Sequence, residues 1–214
     1  MKIAKQQVTL IDSMGSDLSV VNAARVSFAK ESAEMTDKDD KLIHYLAKHR
    51  HKSPFNHAFM SFRVKAPIFV ARQLVKHEYL PWNEVSRRYV TEEPEFYFPD
   101  VWRAKAANVK QGSSDEAVPS GGYVPAYDAT EAAFHGYCNL LARGVCPEQA
   151  RMVLPQNTMT EWIWSGSLYA FAKMCKLRLD SHTQKETREV AQMISDEAKK
   201  LFPVSWPALL EYAT

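Results

Sequence analysis

The segment AFMSFRVKAPIFVARQLVKHEYLP, residues 58–81, changes its hydrophobic period partway along. Up to Ala66, Met60, Phe62 and Val64 alternate with Phe59, Ser61 and Arg63, the period of two that a half-buried strand requires. After Pro67 the apolar residues Ile68, Val70, Ala71, Leu74 and Val75 recur at helical spacing, with Arg72 and Lys76 on the opposite face. Pro67 suits the first position of a helix and Pro81 its end. A strand that runs straight into a helix calls for a sheet with helices laid against it, which is α+β architecture.

The rest of the chain extends that reading. QQVTLIDSM alternates as a first strand, and Ser16 or Asp17 caps a predicted helix through LSVVNAARVSFA. Thr36 with Asp39 forms a capping box before a helix whose apolar face is Leu42, Ile43, Tyr45 and Leu46. Pro54 breaks the chain, and EFYFP reads as another strand. Residues 103–125 are the most loop-like stretch and a candidate lid. Helices are predicted near 126–143, 147–154, 166–177, 184–201 and 204–212, so the C-terminal half is rich in helix. With 214 residues, no repeat and no linker, the expectation is a single domain over 1–214, a small central sheet flanked by helices.

Charge and cysteine usage narrow the function classes. The net charge of +2 leaves any nucleic-acid binding to a local patch. No apolar run reaches the roughly 20 residues of a membrane span, and MKIAKQQVTLIDSMG lacks a signal-peptide core. Three cysteines, Cys138, Cys146 and Cys175, have no metal or disulfide spacing and point to a reducing, cytoplasmic setting. Each is expected to be a buried, inert thiol. No HExxH, phosphate-binding loop, GxSxG or GxGxxG is present.

The chemistry concentrates in RQLVKHEYLPWNEVSRRYV, residues 72–90. Lys76, Arg87 and Arg88 flank one loop, while Arg151 and Arg178 stand among apolar neighbours, where a guanidinium is costly without an anion. They either pair with Glu84, Glu92, Asp180 or Glu186, or together hold a phosphate, with Ser86 adding a hydroxyl donor. Gln73, Asn83 and Glu84 supply amide and carboxylate edges suited to a base or ribose. Trp82 either packs in the core or stacks on a ring. His77 and His182 are hydrogen-bonding groups, structural or functional. The mixture suits a nucleotide.

Six blocks, VNAARVSF, HKSPFNH, KAPIFVARQ, WNEVSRRY, EQARMVLP and LRLDSHTQKE, stand in the order and spacing found in flavin-dependent thymidylate synthases. The chain resembles that family over nearly its whole length, its phage-encoded members most. The family signature is R-H-R, seven residues, then Ser. Here Lys76, His77 and Glu78 are followed by seven residues and Ser86, with Asn83, Glu84, Arg88 and Tyr89 in register.

The resemblance implies a homotetramer of α/β architecture with active sites where subunits meet. It implies FAD as cofactor, NADPH and methylenetetrahydrofolate as co-substrates, and methylene transfer to carbon-5 of dUMP without an enzyme cysteine. By position, Gln73, Lys76, Glu84, Ser86, Arg87, Arg88, Arg151 and Arg178 would hold dUMP, with Arg178 the catalytic group stabilising the ionised uracil. His51, Ser53, Lys76, His77, Glu78, Glu84, Ser167, Tyr169 and Lys173 would face FAD. No metal, nucleic acid or membrane partner is expected, and the setting would be the cytoplasm of a bacterial or phage-infected cell.

Several positions depart from the family pattern. Asn56 replaces a Glu, Glu78 a diphosphate-facing Arg, and Ser167, Tyr169 and Lys173 replace Asn, Arg and Asn. Tyr169 offers a stacking face and Lys173 a cation in exchange. Three other readings stay open: a pyrimidine hydroxymethylase of the same fold, a single-strand nucleic-acid binder using Trp82, Arg87, Arg88 and Tyr89, and an inactive dUMP-binding homologue.

Overall fold

The computed structural model describes residues 1–106, 113–118 and 123–212. In chain order the strands are β1 (Lys2–Ile3), β2 (Gln7–Met14), β3 (Phe59–Pro67), β4 (Trp82–Glu84), β5 (Glu95–Phe96), β6 (Arg103–Lys105), β7 (Ser113–Ala117) and β8 (Met159–Ser167). The helices are α1 (Asp17–Arg25), α2 (Asp37–Lys48), α3 (Ile68–Leu74), α4 (Tyr123–Ala142), α5 (Pro147–Ala150), α6 (Leu168–Arg178), α7 (Lys185–Leu201) and α8 (Ser205–Tyr212). A four-stranded sheet has the order β2-β3-β8-β4, β1 pairs with β5 in parallel, and β6 pairs with β7 antiparallel. The expected mixed fold with a helix-rich C-terminal half is what forms.

The chain divides into two compact units, one of residues 1–7, 65–74 and 84–162, the other of 8–64, 75–83 and 163–214. In the second unit the sheet face of Met60, Phe62, Val64 and Trp164 is fully buried. Phe171 of α6 meets Phe62 and Trp164 edge-on, with ring centroids at 5.2 and 5.4 Å, the arrangement the ring quadrupoles favour. Trp82 packs edge-on against Trp164 at 5.5 Å, so core packing is the role this structure gives it.

Buried carboxylates tie the helices of this unit together. Asp17 accepts the backbone N–H groups of Val204 and Ser205, both at 2.9 Å, satisfying donors that α8 leaves unpaired at its start. Asp39 completes the predicted capping box with Thr36 and pairs with Arg25. The Thr36 hydroxyl and the Arg25 charge hold its carboxyl below the usual range despite burial.

The first unit buries Val70 and Leu74 of α3 with Phe96, Tyr97, Phe98, Tyr137 and Trp162. Asn157 bridges Tyr97 O at 3.1 Å and Thr130 Oγ1 at 3.2 Å, which fixes the chain just before β8. That strand is the main element the sequence reading lacked. TEWIWSGS alternates, with Trp162, Trp164 and Gly166 buried, but an interior Gly weakens a strand pattern.

Other elements differ in extent. Pro67 ends β3 rather than opening α3, and α3 stops at Leu74 instead of running toward Pro81. Val75 is exposed, and Tyr79 takes a left-handed φ of 60°, so the chain leaves the helix and brings Leu80 onto β8. EFYFP contributes only two residues of strand. Cys175 is buried, but Cys138 and Cys146 are exposed, which corrects their expected burial: Cys138 faces out from α4 and Cys146 only caps α5. The 103–125 stretch forms β6 and β7; the lid expected there falls in part on 107–112 and 119–122, outside the described residues.

Gly166 marks the tightest approach in the second unit. A Cβ there would collide with Leu80 Cδ2 and sit 3.1 Å from Tyr79 O. Gly166→Ala is therefore expected to destabilise the protein by roughly 1–3 kcal/mol. Thermal unfolding checks this, at about 2–4 °C lost per kcal/mol for a chain of this size; an unchanged Tm would mean the 75–81 turn yields freely.

Candidate active site

Within the first unit, the end of β3, the turn after β4, β5, the short 3-10 turn Arg151–Val153 and the start of β8 enclose a cleft of about 290 Å³. Its charged lining is balanced in number: Lys65, Arg87 and Arg151 against Glu84, Glu95 and Glu161. The balance does not hold in pairing. Lys65 is bound to Glu95, and Glu84 accepts a 2.6 Å hydrogen bond from Thr160 Oγ1. Arg87 instead donates to the main-chain carbonyl of Glu92, and Arg151 to that of Glu148 at 3.3 Å.

Among the described residues neither arginine has a carboxylate partner. The internal pairing left open by the sequence is thus not what these two side chains do. Carbonyl contacts hold a guanidinium in place without cancelling its charge, the condition for capturing an anion. Beside them Ser86 opens a turn, its carbonyl accepting from Tyr89 N at 3.0 Å and Val90 N at 3.1 Å. Ser86 Oγ accepts from Arg88 Nε at 3.3 Å. Arg88 also lies over the Tyr89 ring, 5.1 Å from its centroid, and is exposed. Gln73 is half-buried on α3.

The second unit holds the other expected residues in two groups. His51 and Ser53 line an open cleft of about 900 Å³ with Arg25, Lys30, Lys38, Lys52, Phe28 and Tyr45. No carboxylate belongs to its lining. Arg25 is already paired with Asp39, so Lys30, Lys38 and Lys52 are the cations beside two exposed rings, a setting that suits a large anionic ligand with an aromatic system. Tyr169 lies under Lys52 Nζ, 5.5 Å from the ring centroid. Ser167 caps α6, accepting from Ala170 N at 3.2 Å, and donates to Asn56 Oδ1 at 2.7 Å. Its hydroxyl is engaged in holding the helix start.

The remaining group lies between the 75–81 turn and the C-terminal half of α6. Arg178 Nε donates to His77 Nε2 at 2.9 Å. Burial, the Arg178 charge and then Lys173 push His77 down to about 4, so the imidazole is neutral at physiological pH. Burial also lowers Arg178, which stays charged throughout the working range. Lys76, Glu78 and Lys173 are exposed. His182 pairs with Asp180 at 2.9 Å across one turn, a local role.

Sequence reasoning did not single out Lys65, Glu95, Thr160 or Glu161 in the first cleft, nor Arg25, Lys30, Lys38 and Lys52 in the second. The alternation in TEWIW was the available signal for Thr160; the lysines carry none, because surface lysines are the commonest cations in any chain.

Comparison with known proteins identifies the family. The family described as thymidylate synthase complementing protein matches residues 9–204. A flavin-dependent thymidylate synthase of Thermus thermophilus is 40% identical over 205 residues, covering 96% of this chain and 76% of its own. One from Kosmotoga olearia is 37% identical over 214 residues, covering 99% and 93%. Among solved structures, a UMP/dUMP methylase, PolB from Streptomyces cacaoi bound with 5-Br dUMP, superimposes with a TM-score of 0.88 at 35% identity over 99% of this chain and 98% of that one. The arginine-lined cleft, the His77–Arg178 pair and the six ordered motifs therefore belong to a member of the flavin-dependent thymidylate synthase family.

Proposed function

We propose that the protein converts dUMP to dTMP, taking a methylene group from methylenetetrahydrofolate. The observation that carries this is the pair Arg87 and Arg151, two guanidinium groups lining one cleft with no carboxylate partner among the described residues. They hold the phosphate, and Glu84, fixed by Thr160, presents an acceptor to the nucleoside. Gln73, Lys76, Ser86 and Arg88 complete the nucleotide contacts. Arg178 stabilises the uracil after it loses its N3 proton; the charge spreads over the ring oxygens and raises electron density at carbon-5. Carbon-5 then bonds the methylene carbon as that carbon's bond to the folate nitrogen breaks; tetrahydrofolate leaves, and loss of the carbon-5 proton with gain of one hydride gives the methyl group.

The cation-rich, carboxylate-free cleft of His51 and Ser53 fits the phosphates and ring of FAD, with Tyr169, Lys173, His77 and Ser167 as further contacts. FAD held there would supply hydride chemistry, with NADPH as the proposed source of the reducing equivalents. Neither exposed cysteine takes part. A homotetramer with sites where subunits meet, in a cytoplasmic setting, completes the proposal; no described helix is long and apolar enough to cross a membrane. A hydroxymethyl product is not favoured, since the relatives are methylating enzymes by name.

Visible absorbance tests the reading. Purified protein given FAD is expected to show a bound-flavin spectrum that shifts on adding dUMP. No flavin signal at saturating FAD would contradict it. Glu78 is exposed, so Glu78→Arg is expected to tighten FAD by no more than about fivefold, the scale of an exposed charge contact. A fluorescence titration reads this; no tightening would remove position 78 from the diphosphate.

A further inference from the structure

Lys52 Nζ sits 5.5 Å from the centroid of the Tyr169 ring, within the range at which a ring face attracts an ammonium. Among the described residues Lys52 has no carboxylate partner. The ring therefore holds the cation without cancelling its charge. A lysine is a point charge on a flexible stem, and fixing it on a ligand costs rotamer freedom. A ring that seats it beforehand removes part of that cost.

Arg50 gives a second, independent observation. Two residues past α2, it has a left-handed φ of 60°. Its N–H donates to Ala47 O at 3.1 Å, and that of His51 to Leu46 O at 2.9 Å. Glycine is the relaxed residue at such a helix end, so the arginine is kept there against backbone strain, which points to a use for its side chain. Among the described residues Arg50 has no carboxylate partner either. Arg50, Lys52 and Tyr169 line one narrow recess, which shares Leu46, His51 and Lys52 with the larger carboxylate-free cleft.

We propose that Arg50 and Lys52, the latter seated on Tyr169, form the subsite that holds the diphosphate of FAD in this chain. This rests on the reading of the larger cleft as the flavin site. Two uncancelled cations, two residues apart in one turn, match a ligand segment of two successive anionic phosphates. Tyr169 then acts on FAD through the Lys52 ammonium, so the cation that the family pattern places at position 169 is supplied from position 52.

Flavin fluorescence tests this, with the full chain titrated by FAD and separately by riboflavin, which has the same ring system and no phosphate. Lys52→Met and Arg50→Gly are each expected to weaken FAD about three- to fivefold, the scale of an exposed charge contact. Riboflavin affinity should not change. Arg50→Gly should also hold or raise the Tm, because it relieves the left-handed backbone. Tyr169→Leu should weaken FAD about two- to threefold, and Tyr169→Phe, which keeps the ring, should recover most of that. In the Lys52→Met background, Tyr169→Leu should add no further loss.

Equal losses for FAD and riboflavin would place these residues at the flavin ring and overturn the proposal. A raised KM for NADPH in flavin reduction, at unchanged FAD affinity, would assign the cations to the other dinucleotide and overturn it too. Ser27→Trp, which crowds the larger cleft, separates this proposal from the reading beneath it. If Ser27→Trp weakens FAD and Lys52→Met does not, the diphosphate assignment alone is wrong. If Ser27→Trp leaves FAD affinity unchanged, the flavin is not in this cleft, and the proposal falls with that reading.

Discussion

Arg178→Ala is expected to lower dTMP formation about 10²- to 10³-fold, the range found when a single group that stabilises developing negative charge is removed. The guanidinium is half-buried and desolvated, where a charge interacts with a ligand more strongly than it would in water. Its loss should fall mainly on kcat, since the interaction strengthens as the uracil ionises. Steady-state kinetics with dUMP reads this directly. Arg178→Lys is expected to recover little, because an ammonium lacks the Nε–H that His77 accepts and the planar shape of a guanidinium. Near wild-type turnover in Arg178→Ala would remove the residue from the chemistry.

The double variant Arg87→Ala, Arg151→Ala is expected to weaken dUMP binding on the order of 10²- to 10⁴-fold, from about 1.5–3 kcal/mol for each charge-assisted contact. Each arginine rests on a main-chain carbonyl, so its removal leaves no carboxylate buried without a partner, and the fold should survive. Lys65 and Glu95 provide the contrast, being already joined. The two arginines line one cleft and share one phosphate in this account, so their losses are expected to couple, and the summed figure is the upper bound for the double variant. Calorimetric titration with dUMP measures the loss, and deoxyuridine serves as control: lacking the phosphate, it should bind the double variant and wild type alike. An equal loss for both ligands would mean the arginines shape the cleft instead of holding the anion.

Much of this site was legible because its chemistry lies close together in sequence. The stretch 72–90 holds Gln73, Lys76, His77, Glu84, Ser86, Arg87 and Arg88, and basic groups among apolar ones announce an anion. Arg151 and Arg178 stood out for the same reason, one before a proline and one in a helix otherwise turned inward. What the sequence could not show was which arginines had partners. That depends on which main-chain carbonyls, Glu92 O and Glu148 O, the turns bring within reach.

The fold was legible wherever one period held over a whole element, as in β2, β3, α2 and α7. It was hidden at β8, whose Gly166 exists to admit Leu80 and Tyr79, and at the end of α3, which the same contact draws out of helical geometry. Both failures have one cause: a contact between the 75–81 turn and β8, about 85 residues apart in sequence, overrides local pattern. The His77–Arg178 hydrogen bond, also distant in sequence, was invisible on the same ground.

The most direct test of the central claim is the mass of the nucleotide formed when the FAD-loaded enzyme is given dUMP, methylenetetrahydrofolate and NADPH. The expected product is dTMP, dUMP heavier by one methylene unit, with formation dependent on all three added compounds. A hydroxymethyl nucleotide, or dUMP recovered unchanged by a protein that binds both flavin and dUMP, would contradict it.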